Sequence, residues 1–253
     1  MFNYLRSQWY RTVHRKYLYI TLAAIWALGA LYLFLAKYAI GSLPIGMEIC
    51  LGEITALTPY LGFYAVLLIN DGTFSDERRL GTFKNDVAFG FSRGTLFFGK
   101  FIHCLTFCIL AMVLLVAPIL FMGIGIVGVF DWEEFRSGMA LFGQTMLAAF
   151  PVWLCGAAAA NALSCVMRKG VQTALVYAGA FVLGDLFLYL LGRLYPVWDT
   201  VKRHLPMGLL NDLSNGRLQE DSGLLPQCWI MGLVLTAVFT AAGYLVFRRA
   251  EVK

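Results

Sequence analysis

The sequence has few charged residues. Only 14% of its 253 residues are Asp, Glu, Lys or Arg, whereas 60% are apolar. Soluble domains carry charge on about a quarter of their residues, so the composition excludes an ordinary soluble enzyme. Histidine occurs three times, too sparsely for two ligands on neighbouring helices. The six cysteines form no CxxC pair, so we expect neither a disulfide framework nor a metal site.

The few charges separate long apolar segments. Uncharged stretches cover residues 17–36, 54–70, 101–130, 137–167 and 222–247, and a sixth, 170–192, is interrupted only by Asp185. A helix needs about 20 apolar residues to cross the hydrocarbon core of a bilayer. The sequence therefore predicts an all-α integral membrane protein with six transmembrane helices, forming a single domain over residues 1–253.

The basic residues predict the orientation. In a six-span arrangement, 14 of the 20 Lys and Arg residues fall on one side: Arg6, Arg11, Arg15, Lys16, Arg78, Arg79, Lys84, Arg93, Lys100, Arg168, Lys169, Arg248, Arg249 and Lys253. Because cytoplasmic loops are enriched in Lys and Arg, both termini are predicted to be cytoplasmic. This asymmetry also accounts for the net charge of +5 without a nucleic-acid partner.

The N-terminal segment, residues 2–16, predicts an amphipathic helix lying on the inner leaflet. Its basic residues alternate with an apolar stripe made by Phe2, Leu5, Trp9, Val13 and Tyr17. We expect the Trp at headgroup depth and the cations near anionic lipid. A basic tail that only sets the topology fits nearly as well.

Two connections are long enough to hold structure. Residues 71–100 form the predicted inner loop, and residues 193–226 the predicted outer loop. In the outer loop, Pro196 suits the first position of a short helix that ends near Arg203. A second short helix is predicted from Met207 to Leu213, stopped by Asn215 and Gly216. We expect both helices to dip into the outer leaflet, with Trp198, Val201 and Leu205 facing lipid.

Small residues and prolines mark positions inside the predicted spans. Gly156–Ala160 and a group on the last span, Ala237, Ala241 and Ala242, predict close helix packing or a dimer seam. Pro118 and Pro151 are expected to kink their helices and leave carbonyls free to line a cavity.

Two short strings resemble catalytic motifs. Gly94–Lys100 satisfies G-x-x-x-x-G-K, but Phe101 follows where a phosphate loop needs Ser or Thr, and no strand precedes it. Glu133 and Glu134 could act as acid and base in an intramembrane peptidase, although Arg136 lies too close to match the Glu-Glu-x-x-x-Arg pattern of such enzymes. An enzyme is therefore the minority interpretation.

Asp185 is the one acid inside a predicted span. Such residues are costly in a membrane and often mark ion or proton sites. The alternative is that Asp185, two turns from Arg193, snorkels or pairs near the outer interface. We favour this alternative, because the other spans supply no further groups for a proton relay.

The inner loop carries the most informative pattern. Its residues follow the order Glu-x-x-x-Gly-Thr-x-Lys-Asn, then Ser-Arg, then a Lys at the start of the third span. This order resembles the inner loop of ABC-2 type permeases, the membrane subunits of ATP-driven exporters. The residues that the resemblance implies for coupling to the ATPase are Glu77, Arg78, Arg79, Gly81, Thr82, Lys84, Asn85, Ser92 and Arg93, with Lys100 as the following Lys.

The resemblance implies a function without bond chemistry in this chain. It implies a permease in a bacterial cytoplasmic membrane. Its partners would be a second copy of the chain or a related permease, and a dimer of cytoplasmic ABC ATPase subunits that bind ATP and Mg²⁺. The implied cargo is an amphiphile such as an antimicrobial peptide or a lipid-like molecule. The chain itself would need no cofactor. A polytopic membrane enzyme and a structural or assembly protein are the alternatives.

Overall fold

The computed structural model describes residues 2–39, 46–80, 92–167 and 169–249. Within these ranges the chain forms nine α-helices, one 3-10 helix at Arg217–Gln219 and no strand. The helices are α1 (Phe2–Val13), α2 (Lys16–Ala39), α3 (Met47–Leu80), α4 (Arg93–Ile126), α5 (Trp132–Val166), α6 (Gly170–Gly192), α7 (Pro196–Arg203), α8 (Pro206–Ser214) and α9 (Leu224–Arg249).

Six of these helices are long and apolar enough to cross a membrane: α2, α3, α4, α5, α6 and α9. They overlap the five uncharged segments of the sequence and the sixth segment, which contains Asp185. The chain is therefore an all-α, multi-pass membrane protein, and the predicted fold class is confirmed. Because the number of spans is even, α1 and the end of α9 lie at one end of the bundle, called here the α1 end. Helices α7 and α8 lie at the other, the α7–α8 end.

Helix α5 is the centre of the bundle. In its most apolar 18-residue stretch 67% of the residues are buried, against 6% in the corresponding stretch of α6. Its most extensive neighbours are α9 and α3. The predicted small-residue face, Gly156–Ala160, is buried inside the chain, where a Cβ on Gly156 would lie 2.6 Å from the Tyr177 hydroxyl. This face therefore packs within one chain, whereas Ala237, Ala241 and Ala242 are exposed.

Helices α3 and α4 run antiparallel in close contact. The thiol of Cys108 donates to the Gly62 carbonyl at 3.6 Å, and the thiol of Cys104 donates to the Val66 carbonyl at 3.8 Å. One helical turn further along both helices, the same pairing sets Lys100 across from Asn70. Both residues are 1% exposed. The Lys that the family resemblance places at the start of the third span is thus enclosed by the protein.

Helix α1 docks on α4 rather than only on lipid. Thr12 Oγ1 lies 2.9 Å from Nε2 of the buried His103, and the Trp9 ring lies 5.4 Å from the Phe107 ring. Gln8 and Thr12 are both buried. The expected amphipathic helix is present but ends at Val13. Trp9 is half-buried and its ring packs against α4, and its expected position at headgroup depth stays a prediction.

Pro118 leaves one carbonyl without its helical partner, as expected, but that carbonyl lines no cavity. Proline has no N–H, so the Leu114 carbonyl, four residues earlier in α4, receives no hydrogen bond from position 118. The Trp26 indole of α2 donates to this carbonyl at 3.1 Å. Pro151 is buried and faces Gly232 of α9. Both prolines therefore lie at helix contacts.

We predict that Trp26→Phe lowers the unfolding free energy by about 1 kcal/mol, because the Leu114 carbonyl loses its donor. The midpoint should fall by about 2–4 °C. All six cysteines are buried free thiols, so a thiol-reactive fluorophore can report thermal unfolding in detergent. In a Pro118→Ala background the helix regains the missing N–H, and the same substitution should cost less. An equal loss in both backgrounds would contradict this account.

Candidate functional site

Helices α7 and α8 form an elbow at one end of the bundle. Each begins with proline in its first turn, Pro196 and Pro206, where the missing N–H costs nothing. Gly216, with φ of +72°, follows α8 in the left-handed conformation that glycine tolerates. The two short helices predicted from the sequence are therefore confirmed, with bounds within one residue of the expected ones.

The two helices differ in where they lie. The expectation that both of them face lipid in the outer leaflet was wrong for α8. Trp198 and Val201 on α7 are exposed on the surface of the protein. Helix α8 instead inserts among the spans, where Leu209, Leu210 and Leu213 are at most 1% exposed. It packs against α3, α5, α6 and α9. Thus α7 alone presents an apolar surface, and α8 is part of the core.

Polar contacts fix α8 in this position. The Ser214 hydroxyl donates to the Ala56 carbonyl of α3. Arg217 Nη1 lies 2.9 Å from Oδ1 of the buried Asp212, so the carboxylate within α8 is neutralised by the residue that follows the helix. The Tyr64 hydroxyl donates to Met207 Sδ at 3.7 Å. These contacts hold the elbow against α3.

An apolar cavity of about 450 Å³ lies beside the elbow. It is bounded by α5, α6 and α9 and closed at one end by the start of α8. Extensive packing between α6 and α9 is absent from the described residues, so the space between them is open at the surface. The lining residues are Ala159, Ala162, Leu163, Val166, Ala180, Phe181, Gly184, Asp185, Leu188, Leu205, Pro206, Met207, Leu235, Phe239, Ala242, Gly243 and Val246.

Asp185 brings charge into this cavity. Its carboxylate lies 3.4 Å from the Lys202 ammonium, which reaches in from α7. The same ammonium lies 5.0 Å from the centre of the Tyr189 ring. Asp185 is paired, as in the favoured alternative, and its partner is Lys202. Arg193 instead donates to the Tyr189 hydroxyl at 2.7 Å.

The residues predicted to couple to an ATPase are placed only in part. Glu77, Arg78 and Arg79 belong to the last turn of α3, which ends at Leu80. Ser92 caps α4 by accepting from the Thr95 backbone N–H at 3.1 Å, and Arg93 is the first residue of that helix. Gly81, Thr82, Lys84 and Asn85 lie outside the described residues. The predicted loop 71–100 therefore begins and ends as helix.

The two catalytic-looking strings have structural roles. Gly94–Lys100 forms the first turns of α4 instead of a phosphate-binding loop. Glu133 and Glu134 lie exposed in the first turn of α5, where Asp131 Oδ1 accepts from their backbone N–H groups at 2.8 and 3.1 Å. Acidic residues at a helix N-terminus are favoured by the helix dipole. Their spacing is therefore explained by helix capping.

Reasoning from the sequence missed the cavity and the partner of Asp185. One signal was available: α7 sets Lys202 one helical turn from Trp198, so this cation lies on the apolar face of a short helix, where it needs a partner. The leucines at positions 209, 210 and 213 were a weaker signal that α8 is buried.

Comparison with known proteins adds no assignment, since no protein-family model and no curated protein matches the chain. Fold and site define its class: a multi-pass α-helical membrane protein with an apolar cavity between three spans, beneath a helical elbow.

Proposed function

We propose that this chain is the membrane subunit of an ATP-driven exporter of the ABC-2 type, which moves an amphiphile across a bacterial cytoplasmic membrane. The observation that carries the proposal is the cavity between α5, α6 and α9. Its lining is apolar apart from Asp185, and it is open between two spans. Transfer of a hydrated solute into such a space would cost several kcal/mol of free energy, whereas an apolar chain enters from lipid without that cost.

The extension of α3 supports the coupling part of the proposal. The helix has 34 residues, but its apolar span ends at Leu67. The remaining 13 residues correspond to about 20 Å of helix beyond the span. This extension carries Glu77, Arg78 and Arg79 away from the apolar region. A rigid helix continuous with a span would transmit a displacement at its end into the bundle.

The elbow supplies the other moving part. Helix α7 has few contacts with the bundle beyond α6 and α8, and its polar attachments are Lys202 with Asp185 and the Arg203 carbonyl with Gln227. Displacement of α7 would withdraw the Lys202 ammonium from Asp185 and leave this carboxylate accessible in the cavity. In this mechanism ATP hydrolysis on the partner subunit, acting through α3, biases the equilibrium between an inward-open and an outward-open state of the permease, and the chain performs no bond chemistry.

Reversing two charges on the α3 extension tests the partner. With Glu77→Lys combined with Arg78→Glu, we expect the amount of ABC ATPase that co-purifies with this chain from its native membrane to fall at least tenfold. Loss of charge pairing at an interface costs about 2–5 kcal/mol, which corresponds to more than a tenfold loss of affinity. Amounts of membrane-inserted protein should not change, because both residues lie beyond the span.

Glu133→Lys combined with Arg136→Glu is the matched control. It reverses the same two charge types on exposed residues at the opposite end of the bundle, and it should leave recovery of the ATPase unchanged. If the α3 variant retains a tight complex, the docking surface lies elsewhere. If the unmodified protein recovers no ATPase, the exporter proposal itself fails.

A further inference from the structure

We propose that Asp185 is the binding residue for the cationic group of a small amphiphile, which occupies the position now held by the Lys202 ammonium. This inference rests on the proposed function and narrows the cargo to an amphiphile with one ammonium group and an apolar body. Three features carry it: the position of the carboxylate, the surroundings of the Lys202 ammonium, and the size of the cavity.

The fixed charge of the site is negative. Asp185 is the only ionisable side chain among the residues that line the cavity in the described part of the chain. It stands on α6, seven residues before the helix ends. Because α6 is a span, the backbone at this position stays within the membrane. Lys202 stands on α7 outside the spans, on a flexible side chain that can turn towards water. When Lys202 leaves, the carboxylate loses the cation that it pairs with, and the cationic group of a ligand can take that place.

The structure shows what an ammonium group meets at this position. The Lys202 nitrogen lies 3.4 Å from a carboxylate oxygen and 5.0 Å from the centre of an aromatic ring, that of Tyr189. A carboxylate beside an aromatic face is a recognised environment for primary and quaternary ammonium ions. Arg193 holds that ring through its hydroxyl at 2.7 Å. The site is therefore built before a ligand arrives.

The rest of the cavity suits a single apolar chain. Its lining extends from Leu235 to Val246 along α9, which corresponds to about 16 Å of helix. Alanine and glycine at positions 159, 162, 180, 184, 242 and 243 leave the space open. A volume of about 450 Å³ falls in the range of cavities that enclose drug-sized ligands. A large peptide would not fit, so the structure favours a small amphiphile.

Binding to the full-length protein in nanodiscs, without an ATPase, tests the site. The probe is radiolabelled dodecyltrimethylammonium, with empty nanodiscs subtracted. We expect Asp185→Asn to weaken binding at least tenfold, because the amide keeps the shape and removes the charge. Lys202→Gln should strengthen binding several-fold by removing the internal competitor. Asp199→Asn is the control, because this carboxylate pairs with Arg203 on the exposed part of α7, and it should bind like the unmodified protein.

Competition separates charge recognition from partition into the apolar cavity. Unlabelled dodecyltrimethylammonium should displace the probe, whereas dodecyl sulfate and dodecanol should not at equal concentration. Equal competition by all three, or unchanged binding to Asp185→Asn, would overturn the proposal. If Asp185→Asn fails to fold, weaker or unchanged binding to Lys202→Gln overturns it instead. Since no ATPase is present, these outcomes are independent of the co-purification result for the exporter itself.

Discussion

Gly232→Ala is expected to lower the unfolding temperature of this protein by about 2–12 °C. A Cβ at this position would lie 2.6 Å from the backbone carbon and oxygen of Pro151, in the contact between α9 and the central helix α5. Backbone atoms cannot rotate away, so the two helices must separate along their length. Overpacking of this kind costs about 1–3 kcal/mol. Each kcal/mol shifts the midpoint of a chain of this size by about 2–4 °C.

The direction of this effect is informative. Alanine is a better helix former than glycine by about 1 kcal/mol, so helix propensity alone predicts stabilisation. Gly143→Ala on α5 provides the control, because no atom lies within 4 Å of its added Cβ, and it should leave the protein equally stable or more stable. Both variants can be followed by thiol labelling of the buried cysteines. A Gly232→Ala variant as stable as the unmodified protein would show that the two helices do not meet as described.

Gly208→Ala is expected to detach α7 from α8 and expose the α7 backbone to protease. The added Cβ would lie 2.1 Å from the carbonyl oxygen of Lys202 and 3.0 Å from the Cα of Arg203. This is the closest approach within the elbow, and both contacts are to backbone. Because α8 is fixed in the core, α7 has to move. We expect trypsin to cleave after Lys202 at least tenfold faster in proteoliposomes.

The same displacement should also weaken the Asp185 ion pair, since Lys202 moves with α7. Gly179→Ala on α6 is the matched control, because its nearest neighbour would be a Leu183 side-chain carbon at 4.0 Å, and cleavage should remain slow. A Gly208→Ala protein with unchanged cleavage would indicate that α7 and α8 are not in contact at this elbow. Unfolding temperature, measured in parallel, distinguishes local detachment from loss of the whole fold.

Function at the two ends of the bundle depends on different kinds of residue. At the α1 end, the sequence supplies charges on a helix that extends beyond its span. At the α7–α8 end, a single charge in an apolar cavity is neutralised from a short surface helix. The first arrangement suits a protein partner and the second a small amphiphilic ligand. In the proposed exporter, one chain would therefore connect a soluble ATPase to cargo within the membrane.

The sequence alone determined the elements of this fold. Five uncharged segments of at least 17 residues, and a sixth interrupted only by Asp185, located the six spans, because the bilayer imposes a minimum length and disfavours charge. Pro196, Pro206 and Gly216 located the short helices, because these residues restrict or permit particular backbone angles. Such signals are local, and each can be recognised without knowing what the helix contacts.

The tertiary structure decided which surfaces meet. Lipid chains are as apolar as leucine, so an apolar face does not reveal whether it touches lipid or protein. For this reason the sequence could not show that α8 is buried, that Trp9 packs on α4, or that Gly156–Ala160 lies inside one chain. Nor could it show that Asp185 faces Lys202, 17 positions away, since the contact depends on how α7 folds back over α6. The cavity exists only because α6 and α9 both pack on α5 without closing on each other.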